Sequence, residues 1–188
     1  MKTNIQKLTF TALMAALLCI LAPISIPLPE PMPAITLAYF AVYISACIIG
    51  PWHSCASIFI YILLGIVGLP VFSKGQAGLQ VVVGPTGGYI LGYFLIAICT
   101  GIFVKRFEKK FYMYIIGMVI GTLLGYTIGT IWLGVSMHLS AGAAIAAGVT
   151  PFLLGDAVKI AAAATICYPV RRQLVRMLPT AVAASPSR

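Results

Sequence analysis

The sequence predicts an all-α integral membrane protein, a compact bundle of six transmembrane helices with a re-entrant or lid-like outer loop between helices 3 and 4. Of the 188 residues, 61% are hydrophobic and only 8% are charged, whereas a soluble domain carries about 25% charged residues. Too few charges remain to cover a water-facing surface. Because each spanning helix needs roughly 20 apolar residues, the chain has room for about six spans and short connections.

The boundaries of the spans follow from proline, glycine and charge clusters. The second apolar segment ends at Gly50-Pro51, the third at Pro70, and the fourth at the basic run of residues 105–110. The tail at residues 179–188 is small and polar, which predicts disorder, so residues 1–178 form a single membrane domain. The six predicted spans are residues 8–24, 35–49, 53–69, 86–104, 111–138 and 151–170.

The basic residues predict the orientation of the chain. A net charge of +9 could indicate a nucleic-acid partner, but the charges cluster at the ends of the apolar runs, as the positive-inside rule requires. We therefore expect no nucleic-acid partner, and a multi-pass membrane protein with both termini cytoplasmic. The clusters are Lys2 and Lys7; Lys105, Arg106, Lys109 and Lys110; Arg171, Arg172 and Arg176; and Arg188.

The connection at residues 71–85 is the longest outer loop and is rich in glycine. Such a loop can fold back over a bundle as a lid, or it can be a plain connector. The apolar run Val81-Val82-Val83 favours a packed segment, so we predict a lid.

Asp156 and Lys159 are the two charges that membrane topology does not explain. They lie near the outer end of the sixth segment, and their spacing of three residues places them on one helical face. Charged groups at membrane depth are costly and usually functional, although the two could simply neutralise each other. An acceptor beside a donor suits a small ligand that bears both N–H groups and a carboxylate.

A short motif precedes the fourth segment, with Thr86, Gly87, Gly88 and Tyr89 in a row. Paired glycines allow a backbone or a ligand to approach closely, and a tyrosine offers an aromatic face with a hydroxyl. A tightly packed helix start would explain the motif equally well. We include these residues, with Gln80 of the preceding loop, among the candidate substrate-binding residues.

Small residues at intervals of four mark two helices. In the fifth segment the pattern gives one smooth stripe that suits close helix packing in lipid, either within the bundle, which we favour, or in a dimer. In the first segment, Ala12 and Ala16 have the same spacing but form a weaker pattern. The stripe consists of Gly117, Gly121, Gly125 and Gly129.

The sequence shows no catalytic arrangement. His53 and His138 fall near opposite membrane faces, the five cysteines are scattered, and no paired carboxylates or metal-ligand spacing occur. We therefore expect no enzyme, no cofactor and no metal site. An intramembrane enzyme that uses Asp156 and a self-sufficient secondary transporter are the alternatives, but the first lacks a second catalytic group and the second lacks internal repeats.

Four stretches together resemble the BioY family of biotin-binding S components of energy-coupling-factor transporters. The resemblance runs from about residue 12 to residue 164, and its most specific elements are GLPVF, GPTGGY and GD followed by K at these spacings. The stretches are PLPEPMPAITL, IIGPWHSCASIFIYILLGIVGLPVFSKGQAGL, VVVGPTGGYILGY and TPFLLGDAVKIAAAA.

The resemblance implies a six-helix protein that captures biotin from outside and delivers it with a transmembrane partner and two ATPases. It implies that Asp156 and Lys159 help to hold biotin, that residues 86–89 line the site, and that Ala12 and Ala16 touch the partner. Biotin is then the transported ligand. The chain departs from the family pattern at Gln76 and Ala77 of the lid and at Ala38, which affects the detailed contacts of the lid.

Overall fold

The computed structural model of the protein describes residues 2–29 and 31–177. The predicted disordered tail and Glu30 therefore lie outside the described residues. The helices are α1 (Lys2–Leu21), α2 (Ala38–Val67), α3 (Leu79–Val83), α4 (Gly87–Arg106), α5 (Phe111–Ser136), α6 (Ala141–Gly148) and α7 (Leu153–Met177), with a two-stranded antiparallel ribbon of β1 (Ser25–Ile26) and β2 (Ile35–Thr36).

Helix α2 is a helical hairpin rather than one rod. Gly50 has a φ of 78°, a backbone conformation that glycine adopts without steric cost, and Pro51 follows it. The first arm (residues 38–49) begins beside the end of α1, where the Thr36 hydroxyl donates to the Ala22 carbonyl at 3.1 Å. The second arm (residues 51–67) runs alongside α1, and Ser57 donates to the Thr11 carbonyl at 2.8 Å.

The bundle therefore contains six long helical segments, which confirms the predicted fold class. They are α1, the two arms of α2, α4, α5 and α7. By length and composition, α2, α4, α5 and a stretch from α6 through α7 are able to cross a membrane, and α1 contributes the shorter apolar helix Ile5–Leu21.

The glycine stripe of α5 faces α4 within the same chain. A methyl group added to Gly121 would lie 2.9 Å from the Cα of Ile96, and one added to Gly92 would lie 3.0 Å from the Cα of Gly125. Both distances are too short for ordinary carbon contacts. The two helices therefore touch backbone to backbone, and Gly117 and Gly129 continue the same contact toward the two ends.

The structure differs from the predicted boundaries where charged residues extend a helix. Helix α1 begins at Lys2 rather than residue 8, and α7 continues past Arg171 to Met177. The outer connection at residues 139–150 also contains α6, whose first turn is capped by Ser140 through a 3.4 Å hydrogen bond from the Ala143 N–H. Charges interrupt an apolar pattern but do not end a helix, which explains these differences.

Arg171 is buried, unlike its neighbour Arg172 in the same basic cluster. Its guanidinium is 2% exposed and donates to Glu108 Oε1 at 2.8 Å and to the carbonyls of Cys47 at 2.6 Å and Ile48 at 3.3 Å. The first arm of α2 stops at Gly50 and leaves its last carbonyls without helical partners. Arg171 binds those carbonyls, as basic side chains do at helix C-termini. We call this region the basic end, and the opposite end of the bundle the lid end.

Candidate ligand-binding site

A cavity of about 600 Å³, part of it open to the outside, lies at the lid end. Apolar and aromatic side chains from the helices and from the two outer loops form the walls, and a few polar groups converge on it. The lining residues are Pro33, Ala34, Thr36, Tyr39, Tyr61, Phe72, Ser73, Val81, Thr86, Tyr89, Ile90, Tyr93, Tyr126, Phe152, Asp156 and Lys159.

Asp156 and Lys159 form an ion pair in the wall of this cavity. Both lie on the first turns of α7, and the Lys159 ammonium is 2.8 Å from Asp156 Oδ1. The side chain of Asp156 is 5% exposed and that of Lys159 is 11% exposed. The ammonium also donates to the Thr36 carbonyl at 2.7 Å, and the hydroxyl of Tyr126 donates to Asp156 Oδ2. The pair is thereby tied to β2 and to α5.

These contacts orient the two side chains and leave part of their hydrogen-bonding capacity unused. Each carboxylate oxygen of Asp156 accepts one hydrogen bond from the protein, and each has two lone-pair sites. Lys159 uses two of its three donor hydrogens. A ligand in the cavity can therefore donate N–H groups to Asp156 and accept a hydrogen bond from Lys159, as the sequence pattern suggested.

Tyr89 and Thr86 also line the cavity. The Tyr89 hydroxyl donates to the Gly148 carbonyl at the end of α6, at 2.9 Å. This bond anchors the tip of the side chain and leaves its ring as part of the wall. Thr86 lies directly before the first turn of α4, so the start of this helix forms one side of the site.

Gly87 and Gly88 do not line the cavity, and Gln80 lines an adjoining pocket at the lid that shares Val81 and Thr86 with it. A side chain at Gly87 would overlap the carbonyl of Val82, and one at Gly88 would overlap Trp132. The paired glycines thus serve close packing, the alternative reading of the motif. Gln80 is exposed, and its side chain donates to the Ala77 carbonyl at 2.8 Å. A direct contact of these residues with a ligand stays a prediction.

Sequence reasoning missed most of the aromatic wall. The rings of Tyr39 and Tyr93 pack edge to face at 5.6 Å, and those of Tyr61 and Phe72 do so at 5.5 Å. Tyr126, which holds Asp156, was also missed. The available signal was the presence of tyrosines inside otherwise apolar spans, since a hydroxyl in the membrane interior needs a polar partner.

The connection at residues 71–85 folds back over the cavity and forms the predicted lid. Phe72 is buried against Tyr61, and Val81 of α3 reaches the cavity wall. Three hydrogen bonds fasten the lid to the bundle. The Trp132 indole donates to the Gly84 carbonyl at 2.9 Å, the Lys74 N–H donates to Ser25 Oγ at 2.9 Å, and the Gly78 N–H donates to the Gly65 carbonyl at 2.7 Å. The lid is thus held by α5, β1 and the second arm of α2.

Ala12 and Ala16 lie away from the cavity, on the exposed face of α1. The neighbouring large side chains Leu8 and Leu13 are also exposed, at 69% and 55%. This face is open to a second protein or to lipid. Within the described residues, no group of three or more His, Cys, Asp or Glu side chains could hold a metal ion.

The chain matches the family model described as BioY over residues 1–176. It is similar to the biotin transporter BioY of Thermotoga maritima, with 36% identity over 89% of this chain and 96% of that protein. It is 32% identical to the biotin transporter BioY2 of Lactococcus lactis, over 84% and 85% of the two chains. A probable biotin transporter BioY of Pyrococcus horikoshii is also 32% identical, over 86% and 93%.

The fold is shared with a solved structure. The crystal structure of the S-component for biotin from an ECF-type ABC transporter superposes with a TM-score of 0.84 and 24% identity, over 92% of this chain and 94% of that chain. At that level of identity the likeness shows the fold, which is the all-helical membrane bundle described above.

Proposed function

This chain belongs to the BioY family, and we propose that it is the biotin-binding, substrate-capture component of a vitamin uptake transporter of the energy-coupling-factor type. The observation that carries the proposal is the aromatic cavity at the lid end, with the Asp156–Lys159 pair in its wall. The relatives are named transporters, which places the chain in transport rather than catalysis.

Biotin suits the chemistry of this cavity. Its ureido ring presents two N–H donors that point apart, and Asp156 has free lone-pair sites to accept one of them. Lys159 keeps one donor hydrogen for the ureido oxygen or for the valerate carboxylate. The apolar thioether ring and the aliphatic chain fit walls that are built largely from tyrosine and phenylalanine rings, and burial of that apolar surface contributes most of the affinity.

The distribution of charge supports capture from outside the cell. Lys105 in the last turn of α4 and Lys110 in the α4–α5 connection are exposed at the basic end, as are Arg172 and Arg176. The positive-inside rule places this end in the cytoplasm. The lid and the cavity then face the exterior, both termini are cytoplasmic, and the bilayer is the bacterial cell membrane.

Release of biotin requires partners in this proposal. Biotin held between the lid and the helices cannot reach the cytoplasm without movement of the bundle. A transmembrane coupling protein and two ATPase subunits would drive that movement. The exposed face of α1 with Ala12 and Ala16 is the docking surface that we assign to the coupling protein, since small residues let a second helix approach closely.

Isothermal titration of the purified protein in detergent tests the binding claim. We expect tight binding of one biotin per chain, and no binding of lipoic acid, which has a similar acid chain but lacks the ureido ring. Absence of biotin binding by folded protein would refute the proposal. Uptake of labelled biotin by cells that carry this chain with and without an energising module would then separate a capture component from a self-sufficient transporter.

A further inference from the structure

Five tyrosines line the cavity, and they are Tyr39, Tyr61, Tyr89, Tyr93 and Tyr126. The hydroxyls of two of them are bonded within the protein, whereas that of Tyr39 is fully buried without a partner among the described residues. Tyr89 donates to a carbonyl at the end of α6, and Tyr126 donates to Asp156. Tyr39 as a whole is 7% exposed.

The packing contacts of Tyr39 come from its ring and do not need its hydroxyl. The Tyr39 ring packs against the rings of Tyr93 and Tyr126, at 5.6 Å and 6.2 Å between centroids. A phenylalanine ring would make the same contacts. Burial of a hydroxyl without a hydrogen bond is unfavourable, so this hydroxyl is best explained by a partner that occupies the cavity.

The position of Tyr39 indicates which part of a ligand it would meet. It is the second residue of α2 and lies three residues after Thr36, whose carbonyl accepts from Lys159. Its neighbour Tyr126 holds Asp156. Tyr39 therefore belongs to the same part of the cavity as the charged pair, where the ligand's N–H groups would bind.

We propose that Tyr39 is a specificity-determining ligand contact, whose hydroxyl donates a hydrogen bond to the ureido oxygen of biotin. This inference rests on the proposed function. In a cyclic urea the carbonyl oxygen lies between the two N–H groups, so an acceptor such as Asp156 and a donor such as Tyr39 recognise complementary parts of one ring. The pair selects cyclic ureas over rings in which a weaker acceptor replaces the oxygen.

Titration of matched tyrosine variants tests the assignment. Tyr39→Phe is compared with Tyr43→Phe, one turn along α2, whose hydroxyl is already bonded to Thr122 and which does not line the cavity. Each variant and the parent protein are titrated with biotin and with 2-thiobiotin, in which sulfur replaces the ureido oxygen. We expect Tyr39→Phe to weaken biotin binding about 5- to 30-fold and 2-thiobiotin binding by less than about twofold. Tyr43→Phe should leave both affinities within about twofold.

The melting temperature without ligand is a second readout. If the Tyr39 hydroxyl stabilised the fold, its removal would lower the melting temperature, whereas removal of an unpaired hydroxyl would not. Tyr39→Phe removes a buried hydroxyl that has no partner, so we expect an unchanged or higher melting temperature, whereas Tyr43→Phe loses a hydrogen bond and should melt lower. Equal losses for biotin and 2-thiobiotin, or biotin binding by Tyr39→Phe that matches the parent, would overturn the assignment. A parent protein that binds no biotin would instead refute the proposed function, and the inference with it.

Discussion

Helix α7 takes part in two buried ion pairs, one at each end of the bundle, and they are built differently. At the lid end, Asp156 and Lys159 are three residues apart on the same helix. At the basic end, Arg171 pairs with Glu108, 63 residues away, and also binds carbonyls of the first arm of α2. The first pair borders a cavity, whereas the second lies between α7, the α4–α5 connection and the first arm of α2.

The two pairs differ in how much of their hydrogen-bonding capacity is left unused by the protein. Arg171 is surrounded by protein acceptors and lies away from the cavity, so its contribution is to hold α2, the α4–α5 connection and α7 together. Asp156 and Lys159 are oriented by Tyr126 and Thr36 but keep free hydrogen-bonding capacity toward the cavity. A buried charge therefore indicates a binding site only where its surroundings leave part of it unsatisfied.

Arg171→Met should have the largest effect and should act on stability. Removal of the guanidinium leaves the carbonyls of Cys47 and Ile48 and the carboxylate of Glu108 without their partner. Breaking a buried pair costs about 3–5 kcal/mol, and because the Glu108 side chain is 33% exposed we expect about 2–4 kcal/mol. Unfolding of the detergent-purified variant by heat or by denaturing detergent measures this loss.

Arg172→Met is the matched control, since Arg172 is exposed and one residue away. It should change stability by less than about 0.5 kcal/mol, as surface substitutions do. Folded Arg171→Met should still bind biotin with the affinity of the parent. Equal stability of the two variants would show that Arg171 does not hold the basic end together. The proposed difference between a structural pair and a ligand-binding pair would then be refuted.

Asp156→Asn should weaken biotin affinity, and because it leaves a buried lysine without its counter-charge it should also lower stability. The amide keeps the shape of the side chain but replaces one acceptor oxygen with a donor, and Lys159 loses its counter-charge. Hydrogen bonds to charged groups contribute about 1.5–3 kcal/mol, so we expect about a ten- to hundredfold weaker biotin affinity by isothermal titration. Lys159→Met should lose a similar amount, because Asp156 is then unpaired.

Lys74→Met controls for the general effect of charge at the lid end. Lys74 is an exposed residue of the lid that does not line the cavity, so its replacement should change biotin affinity by less than about twofold. If folded Asp156→Asn and Lys159→Met both bind biotin like the parent, their ion pair is structural like that of Arg171. The ligand would then have to be sought elsewhere.

Trp132→Phe should have a smaller effect, on the lifetime of the complex. The substitution removes the indole donor that fastens the lid to α5 at Gly84 while it keeps an aromatic ring in place. A neutral hydrogen bond contributes about 0.5–1.5 kcal/mol, so biotin should dissociate roughly two- to tenfold faster. Chase of labelled biotin by unlabelled biotin measures the rate, and a rate equal to that of the parent would mean that the lid does not retain the ligand.

Ala12→Leu and Ala16→Leu should leave biotin binding unchanged and weaken assembly with the coupling protein. Both residues are exposed on α1, away from either ion pair, and a leucine would hold a second helix at a distance. Co-purification with the energising module measures assembly, and Leu13→Ala on the same helix is the control for changes in lipid contact. Undiminished co-purification would rule out this face as the docking surface.

The parts of the fold that the sequence predicted are those with local causes. Gly50-Pro51 and Gly68-Leu69-Pro70 turn or end a helix through their own backbone conformations, with positive φ at Gly50 and Gly68, so most of the six helical segments could be placed from the sequence pattern. The burial of Arg171 could not be predicted, because Cys47 and Glu108 are brought to it by tertiary packing. Helix α6 was missed because its eight residues are far too few to cross a membrane and lie in the connection between two predicted spans.

Some residues of the candidate site could likewise be identified from the sequence, and others could not. Asp156 and Lys159 are anomalies within an apolar span, and they could be found without knowledge of the fold. Tyr39 and Tyr126 carry no such signal, since a tyrosine in a span can face lipid, a neighbouring helix or a cavity. Only the packing of α2 against α4, and of α4 against α5, shows that their rings meet at the cavity.

The two-ended role of α7 also bears on how the protein is made. Helix α7 is the last of the described helices to leave the ribosome, and until it inserts, the carbonyls of Thr36 and Cys47 lack the cations that bind them in the finished bundle. A nascent chain with the earlier helices in the bilayer therefore has neither a complete cavity nor a clamped opposite end. Maturation of the two ends is coupled to a single late insertion event. A prematurely terminated product would expose unsatisfied polar groups to lipid, the kind of defect that membrane proteases recognise.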